Sequence, residues 1–252
     1  MIGVRERLSP NHDGRGEPMR IDMLVLHYTG MTSAAAALDR LCDPAARVSA
    51  HYVVEEEGTV WQLVPERCRA WHAGRSYWQG ERELNAVSIG VEIVNPGHEW
   101  GYRAFPETQM AAVERLCRDL LSRHAIPPDR VVGHSDIAPD RKTDPGELFD
   151  WPRLARAGIG LWPRPHRLPE ADAGRIDAAA RVRAIADLTA IGYGVDATAL
   201  ERPAIIAFQR RFRPARCDGK LDPETVARIA ELRAAYDRTR RNAPGAFTGA
   251  LS

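Results

Sequence analysis

The chain has 252 residues, of which 44% are hydrophobic and 27% charged, and its 35 basic side chains against 34 acidic ones leave a net charge of +1. That balance excludes a bulk electrostatic pull toward nucleic acid or anionic membrane. No apolar run reaches the length of a membrane-spanning helix. Cys42, Cys68, Cys117 and Cys217 are scattered without a CxxC pair. An even count permits two disulfides, but the spacing reads better as mostly buried free thiols in a reducing compartment.

In chain order, residues 1–20 are polar and loop-rich and lack the apolar stretch of a secretory signal. The chain is therefore expected in the cytoplasm, with the periplasm as the alternative. Ile21–Tyr28 (IDMLVLHY) is an apolar run of strand length that ends on His27. Thr32 or Ser33 can cap a helix running to Leu41. Ala50–Glu55 and Thr59–Val64 read as a hairpin turning at Glu57-Gly58. Ala70–Gly80 (AWHAGRSYWQG) is an aromatic loop, and Ala86–Asn95 (AVSIGVEIVN) is a buried strand carrying one carboxylate, Glu92. Phe105–His124 is an amphipathic helix with Met110, Val113, Leu116, Leu120 and Leu121 on one face, stopped by Pro127-Pro128. Val131–Gly133 forms a further strand and Leu148–Ala157 a short closing helix.

Composition then shifts. Residues 160–174 hold Pro163, Pro165 and Pro169 without periodicity and read as a linker. Arg175–Ala190, Asp196–Phe212 and Pro223–Arg240 carry helical periodicity, and residues 242–252 form a tail. The expected organisation is a domain over 1–159, a linker over 160–174, a helical domain over 175–241 and a tail over 242–252.

The segment Val131–Pro145 (VVGHSDIAPDRKTDP) concentrates the chemistry. His134 follows a strand end, Asp144 closes the loop, and between them lies Lys142, one of only two lysines in the chain. An ammonium written where the chain otherwise uses arginine points to a compact cation. If the strands carrying His27 and His134 are neighbours, the two imidazoles and Asp144 make a His-His-Asp set, the three-ligand pattern of catalytic zinc. Asp136 and His72 stay open as alternative third ligands. Glu92 is the candidate base, and Lys142 the candidate group for stabilising an oxyanion. In the aromatic loop, Trp71 and His72 suit a sugar or peptide surface. His51, at a strand start, and Asn85, before the Glu92 strand, are further candidates for contacting substrate.

Five segments in order, VLHYT (Val25–Thr29), SAHYVV (Ser49–Val54), AWHAG (Ala70–Gly74), NAVSIGVEIVN (Asn85–Asn95) and GHSDIAPDRKTDPGELFDW (Gly133–Trp151), resemble the zinc-dependent N-acetylmuramoyl-L-alanine amidases of the AmpD type, relatives of the peptidoglycan recognition proteins. The resemblance covers about residues 20–155. It implies an α/β fold, a central mixed sheet flanked by helices, with zinc held by His27, His134 and Asp144. It also implies Glu92 and Lys142 as catalytic residues and a peptidoglycan or muropeptide substrate, cleaved between N-acetylmuramic acid and L-Ala. A non-catalytic muropeptide-binding protein is the competing expectation. The segments Leu188–Asp196, Ala204–Pro214 and Asp218–Thr225 resemble a three-helix peptidoglycan-binding domain.

Overall fold

The computed structural model describes residues 3–163, 174–195 and 198–242. Most of the expected linker and all but the first residue of the expected tail lie outside them. Among the described residues the strands are β1 (Val4–Glu6), β2 (His12–Gly14), β3 (Met23–Tyr28), β4 (Tyr52–Val54), β5 (Val60–Gln62), β6 (Cys68–Ala70), β7 (Ser88–Ile93) and β8 (Val131–Gly133). The helices are α1 (Ala34–Cys42), α2 (Leu84–Val87), α3 (Gly97–Trp100), α4 (Glu107–Arg123), α5 (His134–Ile137), α6 (Trp151–Arg156), α7 (Ala178–Ile191), α8 (Thr198–Phe212) and α9 (Pro223–Asn242).

Six strands form one mixed sheet in the order β1-β5-β4-β7-β3-β8, while β2 and β6 pair separately and antiparallel. The four central strands β4, β7, β3 and β8 run parallel and are largely buried on both faces, so they are rich in apolar residues, with Ser88, Gly90 and Glu92 alternating along one face of β7. The lead-in is more ordered than its sequence suggests. β1 adds to β5 and β2 to β6, yet both are three-residue strands with mostly exposed side chains and no apolar alternation. The helix expected from Leu148 starts at Trp151, because Asp150 caps it by accepting from the Arg153 N–H. Ser33 is the cap of α1, accepting from the Ala36 N–H.

Alternate residues of β3 enter different cores. Leu24 and Leu26 pack with Met110, Val113, Leu116 and Leu120 of α4. Met23 and Val25 face the other way, into a cluster with Trp78, Val132 and Ile137 that also takes in Leu188, Tyr193, Phe208 and Phe212 from the C-terminal helices. Each such side chain, fully buried, contributes about 1.5–3 kcal/mol. The three C-terminal helices thus share their core with the sheet. The face of β3 that carries Met23 and Val25 ends, two residues on, at His27 (period two).

Candidate active site

Backbone register builds the site. In the parallel pairing of β3 with β7, His27 lies directly opposite Glu92. On the other side of β3, Leu26 pairs with Gly133, so that His134 leaves β8 beside His27. Three chemistry-bearing residues from three adjacent strands therefore stand in one row at the carboxyl ends of the strands, where open parallel sheets place their ligands.

Asp144 joins the row through the loop that follows α5. The Ser135 N–H donates to the Asp144 carbonyl at 2.9 Å, which folds the loop back over the strand end. The close approach requires glycine at 133, where a Cβ would lie 2.8 Å from Pro145 Cδ. The result is a triangle. His27 Nδ1 lies 2.9 Å from His134 Nδ1 and 3.0 Å from Asp144 Oδ2, and His134 Nδ1 lies 3.1 Å from the same oxygen. His134 Nε2 faces the Ala73 carbonyl at 3.1 Å. A carbonyl only accepts, so Nε2 carries the proton and Nδ1 presents a lone pair to the triangle.

Two imidazole nitrogens and a carboxylate oxygen aimed at one point are a donor set for a divalent cation. Tetrahedral zinc bonds put ligand atoms roughly 3.3 Å apart, close to the spacing seen here. Among the described residues, His27, His134 and Asp144 are the group able to hold a metal, and all three are buried. Burial and the neighbouring His134 pull His27 down to about 4, so its imidazole is neutral and ready to ligate at neutral pH. Burial works against ionisation of Asp144, but the two imidazoles outweigh it and hold the carboxyl well below the usual range.

Glu92 is half-buried, and its Oε2 is enclosed without a hydrogen-bond partner. Burial and then Asp144 push its carboxyl well up, while Lys142 acts in the opposite sense. Glu92, His134, Lys142 and Asp144 line a cleft of about 360 Å³, together with Tyr28, Arg40, Trp71 and His72. That volume lies within the usual range for a small-molecule site.

The structure separates the remaining candidates. Trp71 and His72 line the cleft. His51 and Asn85 do not. The His51 ring is fully buried behind the sheet end, where its Nδ1 accepts from the Gly90 N–H at 3.0 Å and Nε2 faces the Cys68 carbonyl and Arg15. Burial and the Arg15 charge hold it down at about 3. Asn85 Oδ1 is occupied by the N–H groups of His72 and Ala73, at 3.1 and 2.8 Å. Asp136, an alternative ligand on sequence grounds, turns away from the triangle. Its oxygens accept from the Gly133 N–H, Arg211 and Tyr193. His72 abuts the far nitrogen of His27 and stays outside the triangle. The cysteines are free, but only Cys117 is buried and the other three are half-buried.

Ser88 and Gly90 went unremarked in the sequence. Period two in Ser88–Ile93 puts both on the Glu92 face, and that signal was available. A Cβ on Gly90 would collide with the His72 ring, so glycine here makes room for the imidazole.

Comparison with known proteins agrees with this geometry. The chain is 41% identical to the N-acetylmuramoyl-L-alanine amidase AmiD of Escherichia coli K12 over 232 residues, 84% of this chain and 82% of that protein. It is 34% identical over 178 residues to the 1,6-anhydro-N-acetylmuramyl-L-alanine amidase AmpD of Salmonella typhimurium SL1344, which covers 64% of this chain and 92% of that one. Among solved structures, E. coli AmiD in complex with the substrate anhydro-N-acetylmuramic acid-L-Ala-D-gamma-Glu-L-Lys superposes with a TM-score of 0.76 at 37% identity, covering 91% of this chain and 93% of AmiD. AMPDH3 of Pseudomonas aeruginosa gives 0.75 at 32% identity, with 92% and 96% covered. Residues 17–147 match the family Amidase_2, described as N-acetylmuramoyl-L-alanine amidase, and the chain belongs to that family.

Proposed function

We propose that the protein hydrolyses the amide joining the lactyl group of N-acetylmuramic acid, or of its anhydro form, to L-Ala of the stem peptide, in peptidoglycan recycling or turnover. One observation carries this reading. The His27–His134–Asp144 triangle stands beside an unpartnered Glu92 in one row at the mouth of a cleft. The relative AmiD has been solved with an anhydro-muropeptide as its substrate.

Zinc is the cofactor proposed, held by His27, His134 and Asp144; when bound it supplies Lewis-acid polarisation of the scissile carbonyl and acidifies water. The chain's own residues do the rest. Glu92 takes the proton of the attacking water on a carboxylate oxygen. Its raised proton affinity lets it keep that proton until the amine departs, and then deliver it to the L-Ala nitrogen. Lys142 donates to the carbonyl oxygen as negative charge develops there. Trp71, half-buried on the cleft wall, offers a flat apolar surface for the sugar or peptide.

The C-terminal helices are proposed to contact peptidoglycan. Supporting this is an open groove of about 470 Å³ between the start of α7 and the loop before α9, lined by Arg175, Arg181, Arg216 and Lys220. Among the described residues no helix is long and apolar enough to cross a membrane. The cytoplasm is the compartment proposed, on the strength of four cysteines that are all free. Fractionation of the native protein tests this, and a periplasmic pool overturns it.

The deciding experiment offers purified protein intact sacculi and anhydro-muropeptides, with and without chelator, and identifies products by mass. Chelator-sensitive release of peptides with a free L-Ala amine and an intact sugar is the expected result. Zinc-loaded protein that binds muropeptides but releases no peptide would make this a binding protein.

A further inference from the structure

One dipeptide holds both metal-facing histidines from behind. The Ala73 carbonyl accepts from His134 Nε2, while the His72 ring meets His27 Nε2 through its Nδ1, at 3.1 Å in each case. The His72 contact alone does not say which nitrogen carries the proton. The atoms beyond it do. Ser88 Oγ lies 2.6 Å from the Leu84 carbonyl, one helical turn back, and a carbonyl only accepts, so the Ser88 hydroxyl donates there. With its proton committed, Ser88 Oγ accepts from His72 Nε2 at 3.2 Å. His72 Nδ1 then holds the lone pair and accepts from His27 Nε2–H. Nδ1 of His27 is left as a lone pair aimed into the triangle with His134 and Asp144.

We infer that His72 is a positioning residue which, through the relay Leu84–Ser88–His72–His27, fixes the tautomer and ring orientation of one metal ligand. The proposal rests on the metal reading given above. It assigns to His72 a role beyond the expected contact with substrate, and it explains three neighbours. Gly90 leaves room for the His72 ring. Asn85 fixes the dipeptide by accepting from both of its N–H groups. Ser88, fully buried, terminates the relay. Groups that hold the outer nitrogen of a metal histidine typically change metal affinity by about 10- to 100-fold when removed.

The test compares zinc affinity, by competition with a chromophoric chelator, and the visible spectrum of the cobalt-loaded protein, across wild type, His72→Leu, His72→Asn and Ser88→Ala. Leucine keeps the bulk without an acceptor and should weaken zinc binding about 10- to 100-fold. Asparagine puts an oxygen near the position of Nδ1 and should recover most of the affinity and the wild-type cobalt spectrum. Ser88→Ala should cost about 5-fold, the worth of one neutral hydrogen bond. Should His72→Leu fail to fold, Ser88→Ala and His72→Asn decide between them. A purely packing role predicts unchanged zinc affinity and cobalt spectra in every folded variant, or equal losses for leucine and asparagine. Either overturns the relay. Wild-type protein that binds no zinc overturns the metal reading, and the relay with it.

Discussion

His134 and Asp136 leave the same four-residue helix two positions apart and face opposite ways. Both are buried. Around His134, lone pairs converge: His27 Nδ1, His134 Nδ1 and Asp144 Oδ2 crowd within 3.1 Å of one another. Around Asp136, each acceptor has its donor. Arg211 donates to Oδ2 at 2.8 Å, the Gly133 N–H to the same oxygen at 2.9 Å, and the Tyr193 hydroxyl to Oδ1 at 2.7 Å. The Arg211 guanidinium also reaches the Val131 carbonyl and lies 3.9 Å over the Trp151 ring. Buried polar atoms are stable only when paired. The oxygens of Asp136 find their donors within the chain, whereas the three atoms around His134 form a set that could hold a metal ion. Asp144, the ligand expected from the sequence, and Asp136, its alternative, differ in that Asp136 already has its donors.

The contrast can be broken from either side. Asp144→Ala should have the largest effect, with loss of zinc and of all peptide release; unchanged zinc stoichiometry would show that the triangle is not the metal site. Glu92→Gln should retain zinc but lower turnover by about 10²- to 10⁴-fold, since it removes a proton acceptor and no ligand. Full activity in that variant would move the base elsewhere. On the other side of the helix, Arg211→Met strands a buried carboxylate and should cost about 3–5 kcal/mol in urea unfolding with zinc stoichiometry intact. Pairing it with Asp136→Leu should cost less than Arg211→Met alone.

A smaller, graded effect comes from acid. Folded His27 and His51 titrate at about 4 and 3 against 6.5 as the ordinary value. The unfolded chain therefore binds protons that the folded one refuses. Stability of the metal-free protein should be full above pH 6.5 and fall as the pH drops through 4 toward 3. A melting temperature that stays flat from pH 7 to 4 would show that these rings are not held neutral.

Much of the site was legible before the fold. The segments around His27, Glu92 and His134 are apolar runs that end in chemistry, and parallel pairing of buried strands brings such ends together. What the sequence concealed depends on atoms far apart in the chain. Nothing near Asp136 announces Arg211, 75 residues on, so the aspartate looked like a spare ligand. His72 sits in an aromatic, turn-rich stretch that resembles a binding loop, and Asn85 comes just before the Glu92 strand. Their backing role appears only once the bare backbone of Gly90 lets the imidazole lie on β7. β1 and β2 were hidden for a plainer reason, since short exposed strands carry no apolar period.

The shared core of the sheet and the C-terminal helices bears on how the molecule comes apart. Leu188, Tyr193 and Phe208 bury themselves against Met23, Val25 and Trp78, and Arg211 is 5% exposed. Neither half keeps its interior if the other melts. Calorimetry of the whole chain should accordingly record one cooperative endotherm. Exchanging the helices for those of a relative would be a graft across a hydrophobic interior, in which both sides have to be recut to fit.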